Sequence, residues 1–120
     1  MKISIDKVEP YSTKDGSLVR ELIRPGSDVR AHVSLAEATL MPGDQTMMHY
    51  HEKSQEIYHI TQGSGVMSLK TDDFCIGAGD SILIPAGTRH SVRNTGIEPM
   101  KILCFCSPAY THEDTVLLEP

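Results

Sequence analysis

Nine glycines and seven prolines break this 120-residue chain at short intervals. The runs between them are rich in β-branched residues, and a helical period of 3.6 is hard to find in any of them. Short apolar runs punctuated in this way predict an all-β sandwich or barrel. Strands are expected over residues 2–6, 17–23, 33–40, 64–70, 74–76, 81–84 and 100–106. Turns are expected at Asp15-Gly16, at 24–28, at 71–73, at 77–80 and at 95–99. Residues 109–120 carry no clear pattern; Thr111-His112-Glu113-Asp114 fits a capped helical turn and an irregular segment equally well.

The chemistry concentrates in residues 43–63, Gly-Asp-Gln-Thr-Met-Met-His-Tyr-His-Glu-Lys-Ser-Gln-Glu-Ile-Tyr-His-Ile-Thr-Gln-Gly. Residues i and i+2 of a strand share a face, so His49 and His51 project side by side. A short polar turn follows, and Glu56 then opens a new strand that can return alongside the imidazoles. Two neutral nitrogens and a carboxylate oxygen on one wall suit a divalent metal. A further ligand comes from residues 79–94. An apolar strand, 81–84, ends at Pro85-Ala86-Gly87, the chain reverses, and His90 enters on the next strand.

These two stretches resemble the motifs of the cupin superfamily. Gly43, His49, His51, Glu56 and Gly63 fit G-x5-H-x-H-x4-E-x6-G, and Gly79, Pro85, Gly87, His90 and Asn94 fit G-x5-P-x-G-x2-H-x3-N. All spacings agree, and the motifs cover about a third of the chain. The resemblance implies a double-stranded β-helix, or jelly-roll, barrel with about nine or ten short strands. It implies one domain over 1–120 with a barrel core at about 33–106, and a homodimer. It also implies one divalent transition metal per chain (Fe, Mn, Ni, Co or Zn) on His49, His51, Glu56 and His90. Metal-free relatives usually carry substitutions at these positions, and here there are none.

Strand alternation nominates the pocket. With His49 and His51 facing in, Met47 also faces in, and Met48 and Tyr50 face out. With Glu56 in, so are Tyr58 and Ile60. With His90 in, so is Val92, while Arg89, Ser91 and Arg93 face out. Cys104 and Cys106 share an inward face with Ile102. Tyr58 is a candidate hydrogen-bonding or acid–base group, or equally a core tyrosine with its hydroxyl satisfied elsewhere. Glu56 is a candidate base as well as a ligand. Cys104 and Cys106 read most simply as small buried hydrophobes, and otherwise as soft ligands or oxidation targets. The pocket lining is therefore expected to include Met47, Ile60, Val92, Cys104 and Cys106. Gly43, Gly63, Gly79 and Gly87 are expected to serve the backbone, by positive φ or close approach. Cys75 reads as core or edge, and His32, His59 and His112 as surface residues.

Composition bounds the partners. Eleven basic and sixteen acidic residues give a net charge of −5, with no basic run. Neither nucleic acid nor an anionic membrane is an expected partner. No apolar segment is long enough to span a bilayer, and no secretory h-region opens the chain. Three cysteines, an odd number, point to reduced thiols in the cytoplasm. The resemblance implies, first, a metal-dependent dioxygenase-like enzyme acting on a small chelating organic substrate. Alternatives are an isomerase or lyase for a sugar or hydroxy-carbonyl compound, and a non-catalytic small-molecule-binding module. A phosphosugar substrate would want inward Arg or Lys, and alternation turns Arg89 and Arg93 away.

Overall fold

A computed structural model describes residues 1–25 and 32–118. It consists of eleven strands and one 3-10 turn: β1 Tyr11–Ser12, β2 Leu18–Ile23, β3 Ser34–Leu40, β4 His49–His51, β5 Gln55–Gln62, β6 Ser64–Leu69, β7 Asp72–Gly77, β8 Ser81–Ile84, β9 His90–Asn94, β10 Met100–Ser107 and β11 Thr115–Leu117. They form two antiparallel sheets, β1-β2-β3-β10-β5-β8 and β11-β4-β9-β6-β7. This is the all-β jelly roll expected. No helix among the described residues is long and apolar enough to cross a membrane.

Alternation places the core between the sheets. Strand β5 runs exposed-buried from Gln55 to Tyr58, turning Glu56, Tyr58 and Ile60 inward and Ile57 outward. Ile60, Met67 and Met100 are fully buried, with Ile84, Val92 and Ile102 around them. Of the four glycines expected to serve the backbone, all have positive φ. Gly63 shows why this matters between β5 and β6. Its φ is +87°, and a Cβ there would lie 3.0 Å from the Cα of Met100. No other residue combines that backbone with that clearance.

Several boundaries differ from expectation. Residues 2–6 are no strand: the 3-10 turn Ile5–Lys7 stands there, with Ile3 and Ile5 exposed. No sheet edge pairs with the segment, so its backbone bonds close locally, as Lys7 N–H to Ser4 O. The turn expected at 71–73 falls one residue earlier, at Lys70-Thr71, because Leu69 and Asp72 already pair and Lys70 takes φ +57°. The patternless tail forms β11, which pairs with β4. Thr111 does accept the N–H of Asp114, but no helix follows. The loop expected at 24–28 lies, from Gly26 on, outside the described residues. Cys75 is exposed on the edge strand β7.

Candidate metal centre

Strand β4 carries His49 and His51, and β9 carries His90 directly opposite His49. Glu56 arrives from the other sheet, on β5, so it faces the imidazoles across the barrel instead of beside them. The corner from β4 to β5 is held by Asp114. Its carboxylate accepts the N–H groups of Lys53 and Ser54, and its carbonyl accepts that of Glu52. The reversal ahead of β9 is held by Gly87, at φ +77°, whose N–H donates to His51 O at 2.7 Å.

The ring orientations follow from their outer nitrogens. His49 Nδ1 is 2.7 Å from Met47 O and His90 Nδ1 is 2.9 Å from Thr88 O. A carbonyl only accepts, so both rings carry the proton on Nδ1. His51 Nδ1 lies 3.1 Å from Thr115 Oγ1, and that hydroxyl spends its own proton on Thr111 O. His51 must therefore donate there too. With Nδ1 the donor on each ring, all three aim Nε2 at the barrel interior, and this outer shell fixes tautomer and tilt together.

The inward atoms converge. Ligand atoms of His49, His51 and His90 lie within 4.8 Å of one another. Glu56 Oε1 is 3.3 Å from His51 Nε2 and 3.5 Å from His90 Nε2. The four residues are no more than 5% exposed. Among the described residues, Glu56 Oε1 and His90 Nε2 have no hydrogen-bond partner. Burial would raise the Glu56 carboxyl, but the imidazoles of His51 and His90 outweigh it and hold the group at about 2. Burial, with His90 close by, lowers His49 and keeps its ring neutral. The lowering of Glu56 requires a proton or positive charge on the facing nitrogens; where the rings are neutral with the proton on Nδ1, carboxylate and imidazole lone pairs face each other with no proton between them, a costly arrangement in a dry interior. A divalent cation removes the conflict. Donors bound at about 2.1 Å to one metal sit about 3.0–3.4 Å apart; Glu56 Oε1 lies within that span of His51 Nε2, at 3.3 Å, and just beyond it from His90 Nε2, at 3.5 Å.

A cavity opens from this group. Tyr58, Val92, Cys104 and Cys106 line it. Ile60 does not: it is fully buried, paired with Ile102 in the core and off the cavity wall. Met47 is not in the pocket either, at 44% exposure. The alternation slips before His49 because Thr46 bonds twice to Val92: its N–H donates to Val92 O and its Oγ1 accepts the Val92 N–H. Thr46 therefore turns inward and Met47 outward. Arg89 and Arg93 are exposed, whereas Ser91 is buried. His32, His59 and His112 stay out of the histidine group. Burial raises Tyr58, Cys104 and Cys106, with the Glu56 charge adding to it, so all three keep their protons.

Asp15, Glu21, Tyr110 and Thr115 also line the cavity, and sequence reasoning missed them. Asp15 Oδ1 accepts from Thr13 Oγ1, Ser17 N and Ser17 Oγ, while Oδ2 lies 3.7 Å from His49 Nε2. The Thr-x-Asp-x-Ser pattern signals a tight polar turn. That the turn leans over the histidines is a tertiary fact, set by Met47 N–H donating to Asp15 O.

Fold and site together define a small β-barrel protein with a buried three-histidine centre. The chain belongs to the cupin family: the family described as "Cupin domain" matches residues 36–106. It is 46% identical over 119 residues to the uncharacterized protein MJ1618 of Methanocaldococcus jannaschii, covering 99% of this chain and 95% of that one. It is 27% identical over 107 residues to the tetracenomycin polyketide synthase protein TcmJ of Streptomyces glaucescens, covering 89% and 71%. Among solved structures, the Streptomyces nucleoside dehydratase Pac13 matches with TM-score 0.78 and 20% identity, over 99% of this chain and 91% of that one. A predicted oxalate decarboxylase of Thermotoga maritima matches with TM-score 0.77 and 25% identity, over 90% and 99%.

Proposed function

We propose that this single-domain cupin is a metal-dependent enzyme of the dioxygenase-like kind, acting on a small chelating organic substrate. The observation that carries this is the set of buried lone pairs on His49, His51, His90 and Glu56, directed at one another with no proton to share. These four residues would hold one divalent transition metal. The metal would supply Lewis acidity and open positions for a chelating substrate and dioxygen. His49, His51 and His90 are held in one tautomer by Met47, Thr115 and Thr88, so the binding geometry exists before the metal arrives. Val92, Ile102 and Cys104 line the cavity beside the site and keep water from it. Tyr58, 5.7 Å ring to ring from His90 and protonated, offers a donor to a substrate oxygen. No lysine or arginine lines the cavity among the described residues, which favours an unphosphorylated ligand.

A second reading, proton-transfer chemistry such as dehydration or isomerisation of a hydroxy-carbonyl compound, is favoured by Asp15 Oδ2 beside His49. Pac13, similar in fold, is a nucleoside dehydratase. The experiment is elemental analysis of protein purified without chelator, then anaerobic Fe(II) loading and oxygen uptake over a panel of diketones and enediols. Substrate-dependent uptake at about one metal per chain supports the first reading. Metal without uptake, but with turnover of hydroxy-carbonyl compounds, supports the second. Ligand-induced spectral shifts without turnover of either class would make the protein a binding module. No metal after loading would overturn the centre itself.

A further inference from the structure

Glu56 is the one charged member of the proposed centre, and its two oxygens have different surroundings. Oε1 faces His51 and His90. Oε2 accepts a hydrogen bond from Cys106 Sγ at 3.2 Å. Cys106 is 2% exposed and stands opposite Glu56 in the β5–β10 ladder, both side chains entering the barrel. We infer that Cys106 is the positioning residue of the metal centre: its thiol fixes the carboxylate so that Oε1 is presented to the metal. The inference rests on the metal-centre reading and names a residue which that reading does not need.

The physical case is one of satisfaction. A buried carboxylate has about four acceptor sites, and a free one would swing between rotamers. Among the described residues, Cys106 supplies the one hydrogen bond that either oxygen of Glu56 has. A sulfur donor here must stay protonated. The carboxylate oxygen can only accept, so the S–H is the donor in this 3.2 Å contact, and Ser34 flanks the thiol on β3. Ser34 is itself tied down, since it sits opposite Cys106 on β3 and its Oγ accepts the N–H of Tyr110. The carboxylate is therefore held through β10 and β3, while the imidazoles are held from the other sheet. Ligand-orienting groups of this kind are typically worth 10–100-fold in metal affinity.

The test uses Co(II) alone as probe, with affinity measured by chelator competition and geometry by the visible d–d spectrum. Cys106→Ala should weaken Co(II) about 10–100-fold and alter the d–d bands. Cys106→Ser, which keeps a donor, should restore both to near wild type. Thermal unfolding of each metal-free variant separates misfolding from misplacement. Wild-type affinity and spectrum in Cys106→Ala would overturn the inference, provided Glu56→Ala loses Co(II). So would a sulfur-to-cobalt charge-transfer band in the wild type that vanishes in both Cys106 variants, since the sulfur would then be a ligand. If His51→Ala and Glu56→Ala both bind Co(II) as the wild type does, the metal-centre reading itself fails.

Discussion

At the scale of the residue, the centre depends on which nitrogen of each imidazole holds the proton. His51→Ala removes one lone pair and should reduce bound metal to a few per cent of wild type or less, with the β circular-dichroism signal intact. Wild-type metal content in that variant would refute the assignment. Arg93→Ala is the matching control: Arg93 is exposed, and its loss should leave metal content unchanged. The inward set was legible because strand alternation and motif spacing agree at His49, His51, Glu56, Tyr58 and His90. Met47 was misplaced because alternation was extended back from His49 past the start of β4, where Thr46, held by two hydrogen bonds to Val92, takes the inward position. Asp15 was invisible as a site residue because only the folded chain brings its turn over the histidines.

At the scale of the element, the hairpins with glycine turns were legible and the pairings of distant segments were not. Residues 64–70, 81–84 and 100–106 read as strands because their apolar runs are bounded by turn residues. Strand β11 carries only Val and Leu beside Thr115, too little pattern to declare itself without β4. Two element-level substitutions check the packing. Ile60→Ala, fully buried on β5, should cost about 2–5 kcal/mol in denaturant unfolding without changing the cavity wall. Gly87→Ala should cost about 1–2 kcal/mol, because an L-residue is strained at φ +77°. It should also weaken metal binding, since that turn bonds to His51 O and leads into His90.

At the scale of the whole molecule, the outer face of the six-stranded sheet has a row of apolar residues in register: Ile23, Leu35, Phe105, Ile57 and Leu83 across five strands. Leu83 is 57% exposed and Ile57 40%. The family resemblance implies a homodimer; if two copies meet at this row, Phe105→Lys should shift the mass in light scattering toward monomer. Alkali should destabilise the fold. Burial pushes Tyr110 up to about 12, and burial with the Glu21 hydrogen bond raises Tyr11 as well. Both keep their protons longer in the folded chain than at the ordinary value near 10. Their contribution is whole below pH 10 and is lost as pH climbs toward 12, so the unfolding midpoint should fall across that window. The pairing of β11 with β4 also bears on biosynthesis. Thr115, whose hydroxyl orients His51, lies 64 residues beyond it. A nascent chain thus emerges with His49, His51 and Glu56 long before the group that aligns them. Capture of the proposed metal would then be a closing step of maturation, and a ribosome-bound fragment ending short of Thr115 would leave its histidines open to whichever ion comes first.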